Sequence, residues 1–389
     1  MARDIAISVY LFFFGILFHI FKLYPQKKKS TFVVSFGDNV LFTVKELETQ
    51  TNGQVIILKT SQCKVDFEES SNRIILMFEP RHFFHWIRSI FHLATSTHIY
   101  VDNYFGFLAV TKFRENVSCI QLWHAAGAIK QFGLKDPSIR NRTKQALQRF
   151  KKVYDRFDYV VVGSEKMANI FRQSFGLSDK QILRSGIPRT DFFFDEIALE
   201  QARYELTQHF PVIQKKKVIL YAPTFRDHEL HVSSLHLDIA AMYKALKEDY
   251  VLFLRLHPAV KVELNNQYPE FVYDVSNYKD INHLLVVTDL LISDYSSIPF
   301  EYSLLHRPMI FFAYDLHEYE KLRGFWEGYD QLVPGPIVKD TGSLIDIIHS
   351  SQFDLNKVVQ FSHEWNQYSQ GNSSKNLIQT FYKSKLYDA

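Results

Sequence analysis

The chain has 389 residues, 47% of them apolar, and a formal net charge of only +3. That composition supplies a large core and excludes wholesale disorder, while so small an excess charge excludes a nucleic-acid-type polycation. Two isolated cysteines, Cys63 and Cys119, suit a reducing compartment rather than a disulfide scaffold and offer no zinc site, and 35 Phe with 21 Tyr suit a surface that meets a membrane or another apolar partner.

Between Asp4 and Lys22 no Asp, Glu, Lys or Arg occurs. As a helix, Ile5 to Phe21 spans about 25 Å, slightly short of a hydrocarbon core. Lys27, Lys28 and Lys29 follow, without a small-residue cleavage site. Residues 1–29 therefore read as a retained anchor, spanning the bilayer or lying in its inner leaflet, with the rest on the cytoplasmic side. A cleaved signal peptide is the alternative.

From residue 30 short β-branched runs alternate with helix-length segments. Thr31–Phe36, Gln54–Lys59, Arg73–Met77 and His98–Asp102 read as buried strands of a parallel sheet with helices on both faces. Asp102 closes its strand, where open α/β sheets place ligand groups or, equally, turn aspartates. In 81–91, Phe83, Trp86 and Ile90 share one helical face with Arg81, His85 and Arg88 on another, as in an interfacial helix or an ordinary crossover helix.

Val117 to Trp123 is a further strand, followed by His124, then Ala125, Ala126, Gly127 and Ala128. That order predicts strand, tight turn and helix, with a histidine beside an anion-binding helix start. A general base acting on a phosphorylated substrate fits the arrangement, as does a core or cap histidine. The basic stretch 130–156 lines Leu147, Phe150, Tyr154 and Phe157 along one helical stripe and Arg142, Arg149, Lys152 and Arg156 along the other. The second stripe is either a solvated face or a patch for anionic lipid headgroups and lipid-linked pyrophosphate. Residues 158–163 and 182–185 give two more strands, and Gly186 and Pro188 punctuate a boundary, so 30–187 form the first, acceptor- and membrane-facing domain.

The second domain, 188–389, repeats one design three times. Strands 217–222, 250–256 and 289–294 end in Pro223-Thr224-Phe225-Arg226, His257-Pro258 and Tyr295-Ser296-Ser297-Ile298-Pro299, and 308–312 is a fourth strand. Hydroxyls and arginines on one sheet edge suit a nucleotide diphosphate, with Glu301 placed for a sugar hydroxyl and His257 for charge on a breaking phosphate bond. No Walker loop, G-x-G-x-x-G, H-E-x-x-H or nucleophile elbow occurs, so neither a metal nor a cofactor is expected. The fold expected is α/β: two Rossmann-like parallel-sheet domains facing a central cleft, after an N-terminal hydrophobic helix.

The ordered set Trp123-His124-Ala-Ala-Gly127, Gly186-Ile-Pro188-Arg189, Tyr221-Ala-Pro223-Thr224-Phe-Arg226, Arg255-Leu-His257-Pro258 and Ser293-Asp294-Tyr-Ser296-Ser297 resembles the CDP-glycerol glycerophosphotransferases of teichoic acid synthesis. The resemblance covers 30–380 and implies a GT-B-like fold at the cytoplasmic membrane face. It implies His124 as base and His257 as stabiliser of the leaving diphosphate. It implies CDP-glycerol contacts at Ala125, Ala126, Gly127, Ala128, Arg189, Pro223, Thr224, Arg255, Leu256, Ser296, Ser297 and Glu301. His-Ala-Ala-Gly replaces the His-Gly-Thr of larger members and resembles small, single-module enzymes of the linkage unit. The reaction expected moves glycerol phosphate from CDP-glycerol to a primed polyprenyl-diphosphate-linked glycan, releasing CMP. The alternatives are the primase that adds the first unit, a CDP-ribitol or sugar-nucleotide transferase, and a non-catalytic membrane protein that binds lipid pyrophosphates.

Overall fold

The structure is a computed structural model and describes residues 2–224, 226, 235–256 and 267–382. Contacts divide the chain into two compact units. The first joins Met1–Ala125, Phe132–Asp191 and Gln367–Ala389; the second joins Ala126–Gln131 and Phe192–Asn366.

The first unit is built on seven strands: β1 (Lys29–Val34), β2 (Gln54–Lys59), β3 (Arg73–Met77), β4 (His98–Val101), β5 (Ser118–Gln121), β6 (Tyr159–Val161) and β7 (Ile182–Leu183). All pair in parallel, in the order β3-β2-β1-β4-β5-β6-β7. Every residue of β1 and the four inner residues of β2 are buried, as a parallel sheet covered on both faces requires. The order reverses beside β1, so the ends of β1 and β4 flank a switch point where α/β sheets bind ligands.

Four helices matter to the site: α1 (Ala2–Phe21), α2 (Asp38–Gln50), α3 (Phe83–Thr95) and α4 (Lys144–Tyr154). The inner face of α1 buries Leu11, Phe14 and Phe18. Phe14 stacks on Phe107 at 5.0 Å between ring centroids and meets the Trp86 ring of α3 edge-on at 5.9 Å. Its other face leaves Val9, Phe12, Phe13, Ile16 and Ile20 exposed.

The C-terminal stretch returns to the first unit, although the sequence assigns it to the second domain. Tyr368 N–H donates to the Gly163 carbonyl at 2.8 Å, and the Ser373 and Ser374 N–H groups donate to the Asp191 carboxylate at 2.8 Å each. Gly186, with φ at 84°, lies against the Tyr368 backbone and Ser373, where a side chain has no room.

The second unit carries β8 (Lys217–Tyr221), β9 (Tyr250–Leu254), β10 (Val272–Asp274), β11 (Leu290–Ser293), β12 (Met309–Phe312) and β13 (Ile337–Val338). They run parallel in the order β10-β9-β8-β11-β12-β13 over a core that includes Ile219, Leu252, Ile292 and Ile310. The outermost strands, β10 and β13, are absent from the sequence reading; at three and two residues they are too short to show a pattern.

One expectation is corrected. No helix follows His124, and the basic stretch is not one long helix. Gly133 at φ 63° and the Asp136-Pro137 step break the chain into two short 3-10 turns. Helix α4 starts only at Lys144, where the Thr143 hydroxyl accepts the Ala146 N–H at 3.2 Å.

Candidate active site

Strand β5 delivers the chain to Trp123, which sits at φ 58° in the left-handed region, a strained conformation for a bulky residue. Its surroundings hold it there. Trp123 N–H donates to Gln121 Oε1 at 2.9 Å, and the indole stacks on Phe132 and meets Phe171 and Phe175 edge-on. Buried Asn39, near the start of α2, donates through Nδ2 to the Leu122 and Trp123 carbonyls at 3.1 and 2.9 Å. Its Oδ1 accepts the Arg189 N–H at 3.1 Å. Asn39, in the Ser35-Phe-Gly-Asp-Asn39 segment that also resembles the family's first domain, thus clamps two distant turns, a role its local sequence does not give.

The clamp turns His124 back onto the strand ends. Nδ1 lies 3.0 Å from the main-chain oxygen of Asp102, and the imidazole stacks on Phe36 with centroids 3.9 Å apart and planes 10° apart. A carbonyl only accepts, so Nδ1 carries the hydrogen and Nε2 presents its lone pair. Burial, with the charge of Arg189 added, pulls the imidazole down to about 4, so it is neutral at pH 7.

Asp102 supports this geometry rather than facing a ligand. Its carboxylate accepts the N–H groups of Ser35, Phe36 and Gly37 at 2.9, 2.8 and 2.9 Å. Burial nevertheless pushes it up to about 6. Arg189 lies in the first unit, its guanidinium 3.6 Å from the Asp38 carboxylate.

In the second unit Asp294, just past β11, is the organiser. Oδ1 accepts the N–H groups of Thr224 and Tyr295 at 2.7 and 2.6 Å, and Oδ2 lies 2.6 Å from Arg226. Asp315 grips the other edge of that guanidinium at 2.9 and 3.0 Å, with Tyr295, Tyr314 and Tyr319 rings about it. Burial works against the charge, but Asp315 and Asp294 overcome it and hold Arg226 above its ordinary value. Arg226 is only 4% exposed, so it braces the β8 end and is not presented to a phosphate.

Pro223, Thr224, Ser296 and Ser297 are half-buried. The Thr224 hydroxyl is buried with no hydrogen-bond partner among the described residues, and the Ser297 hydroxyl makes no bond to the short helix Ile298–Tyr302 that it precedes. Ser296 Oγ accepts the Ile298 N–H at 3.3 Å. Arg255 donates to the Val275 and Tyr278 carbonyls at 3.3 and 2.8 Å, and Leu256 N–H to Ser276 Oγ at 3.0 Å. His257 and its proposed role lie outside the described residues.

Glu301 and the small residues Ala126, Gly127 and Ala128 are brought together within the second unit. Ala125, Ala126 and Gly127 are buried, Ala128 half-buried, and the Phe300 ring packs where any side chain at 127 would go. The closely approaching group is thus a phenylalanine. Buried Glu301 accepts the Ala126 N–H at 3.2 Å, holding the loop. The same strap continues through Trp326 Nε1, which donates to the Lys130 carbonyl at 2.9 Å.

Of the basic stripe, Arg142 and Lys152 are exposed, and Arg149 and Arg156 half-buried. Arg142 lies over the Phe150 ring at 5.0 Å, and Arg149 is 3.8 Å from Asp4 of α1.

Residues 39–383 match the family described as CDP-Glycerol:Poly(glycerophosphate) glycerophosphotransferase. The chain is 39% identical to the teichoic acid glycerol-phosphate primase of Bacillus subtilis (strain 168), over 97% of both chains. It is 34% identical to the teichoic acid glycerol-phosphate transferase of Staphylococcus aureus, over 68% of this chain and 71% of that one. Among solved structures, the wall teichoic acid polymerase TagF superposes with a TM-score of 0.80 at 24% identity, over 98% of each chain. A UDP-GlcNAc 2-epimerase from Neisseria meningitidis reaches 0.61 at 14% identity, over 92% of this chain and 100% of that one, so the two-sheet, GT-B-like fold extends beyond phosphotransferases.

Proposed function

This chain belongs to the CDP-glycerol:poly(glycerophosphate) glycerophosphotransferase family, and from that premise we propose that it primes teichoic acid: it transfers glycerol phosphate from CDP-glycerol to the sugar end of a polyprenyl-diphosphate-linked disaccharide. That the enzyme is a glycerophosphate transferase of teichoic acid synthesis follows from the family and its relatives. The unprimed acceptor is favoured over the primed one read from the sequence by the 39% identity to the B. subtilis primase along nearly the whole of both chains. The primed linkage unit is the second reading, supported by the shorter match to the S. aureus transferase.

The observation that carries the chemistry is the His124 tautomer. Its unprotonated Nε2 takes the proton of the acceptor hydroxyl as that oxygen bonds to the glycerol-bearing phosphorus. The bridging P–O bond breaks in line, and CMP leaves with the bridging oxygen. The proton then passes from the imidazolium to solvent. Thr224, Ser296 and Ser297, with Arg255, are the donor-binding groups this reading assigns to the second unit, and positioning supplies most of the acceleration.

The outward apolar face of α1 is the membrane-contacting surface, lying in the cytoplasmic leaflet while its inner face packs on the protein. One experiment tests the reading: purified protein, CDP-glycerol and two synthetic lipids, one with the bare disaccharide and one already carrying glycerol phosphate, with products weighed by mass spectrometry. One added glycerol phosphate on the bare lipid supports priming. Addition to the primed lipid alone selects the second reading, and no CMP release with either removes both.

A further inference from the structure

A cavity of about 640 Å³ lies within the first unit, between α1, the turn Gly106–Val110 and α4, and it plays no part in the chemistry above. Its size suits a small polar head with one or two sugar rings, since ligand sites run from about 300 to 1,000 Å³. Most of the wall is aromatic, which favours sugar faces and the first isoprene units of a lipid.

Three lining residues are arginines, Arg3 from α1 with Arg142 and Arg149 around α4, and no Asp or Glu lines it among the described residues. Asp4 lies beside Arg149, whose charge also bears on the Tyr104 hydroxyl. Elsewhere the lining includes Gln121, Asn103 and Trp123. Trp123 stacks on His124 with centroids 4.3 Å apart, so one ring separates the cavity from the imidazole. A sugar-bearing polyprenyl diphosphate carries two negative charges, which three arginines offset by one nearby aspartate balance.

We propose that this cavity seats the acceptor, with the lipid diphosphate on Arg3, Arg142 and Arg149 and the glycan running past Trp123 toward His124. The proposal rests on the function given above. It also divides the basic stripe. Arg142 and Arg149 serve the acceptor, whereas Lys152 and Arg156 do not line the cavity. The prenyl chain leaves along the exposed face of α1, where Ile5, Val9, Phe12 and Phe13 form the apolar wall of a second groove against Thr143 and Gln145.

The test uses the full chain in detergent micelles and two acceptors carrying the same disaccharide, one on farnesyl diphosphate and one on a neutral alkyl glycoside. Wild type should show a KM at least tenfold lower for the diphosphate. Arg142→Ala with Arg149→Ala should erase that preference by raising the diphosphate KM, while the neutral KM moves less than twofold. Gly106→Leu supplies a second route, because a Cβ at Gly106 meets nothing within 4 Å and a larger side chain fills the space. It should raise KM tenfold for both acceptors without changing KM for CDP-glycerol. Thermal unfolding verifies that each variant is folded.

A wild type that does not discriminate, or a double variant that still does, overturns the seat. Parallel loss of flotation with anionic vesicles overturns it too, because the arginines then serve lipid headgroups. If wild type transfers glycerol phosphate to neither acceptor, the function itself is wrong; if it transfers without discriminating, only the seat is.

Discussion

His124 and Asp102 are joined through the backbone of the aspartate, not through its carboxylate. The Nδ1–H group meets the Asp102 carbonyl at 3.0 Å, while the carboxylate turns the other way onto the Ser35, Phe36 and Gly37 amides. The imidazole is thus oriented by a neutral acceptor, which fixes its tautomer and raises its basicity too little to offset burial. Removing the ring removes the base. We expect His124→Ala to lose two to four orders of magnitude in turnover, about the range of a lost general base. CMP release under saturating substrates measures it, and activity within threefold of wild type would eliminate the role.

The same environment sets the pH dependence. The half-buried imidazole, largely withdrawn from water, stands at about 4, below the ordinary histidine value of 6.5. Protonation inactivates a base, so activity is lost as pH falls through the folded value and not through the ordinary one. At pH 6 a free histidine is about three-quarters protonated, whereas one at about 4 is about 1% protonated. The profile of kcat/KM, which reports groups of the free enzyme, should stay flat from neutrality down to about pH 5 and then fall. An acid limb centred near 6.5 would contradict the desolvated, carbonyl-bonded ring.

How much of this was open to the sequence depends on how far apart the partners lie. Runs such as Val55-Ile56-Ile57-Leu58 declare a parallel sheet because they are buried on both faces, so the two-sheet architecture is legible. Arg226 looks like a phosphate ligand at a strand end because its acids, Asp294 and Asp315, come 68 and 89 positions later. The loop after His124 looks like a helix start because Glu301, 175 positions away, does the holding. Asn39 sits in a segment that resembles the family, but its role is hidden, since its partners are 83 to 150 positions distant. Local pattern reports burial and turns; it does not report which distant groups use up a side chain's hydrogen bonds.

Asn39 is accordingly the strongest test of the clamp. Asn39→Asp keeps the volume but replaces a donor with an acceptor, setting a carboxylate against the Leu122 and Trp123 carbonyls. Asn39→Ala leaves the two carbonyls and the Arg189 N–H without their partner, at a cost of about 1–3 kcal/mol for each buried group left unsatisfied. Both should release the left-handed turn at Trp123 and cut kcat tenfold or more. Tryptophan fluorescence tracks the turn. Normal kcat in either variant would make the clamp structural only.

Arg226 separates bracing from ligand binding. Replacement by methionine leaves the Asp294 and Asp315 carboxylates, one of them wholly buried, without their cation. Breaking such a pair costs about 3–5 kcal/mol, and for a unit of this size that lowers the midpoint of thermal unfolding by roughly 6–20 °C. Calorimetry of Arg226→Met checks it. A variant with unchanged unfolding and a raised KM for CDP-glycerol would return Arg226 to the donor site.

Deleting α1 is a poor test of membrane contact, because it uncovers the pockets of Leu11, Phe14 and Phe18 as well as removing the outward face. Substituting the outward face alone is cleaner. Phe12, Phe13 and Ile16 are 63%, 56% and 42% exposed, so serine at all three leaves the core untouched. At about 25 cal/mol per Å² of apolar surface, losing two phenylalanines and an isoleucine from a membrane contact removes several kcal/mol of binding. The triple variant should stay in the bottom fraction of a vesicle flotation gradient while wild type rises. Its KM for CDP-glycerol should remain close to that of wild type. If the triple variant floats with the vesicles, the outward face of α1 is not what meets the membrane.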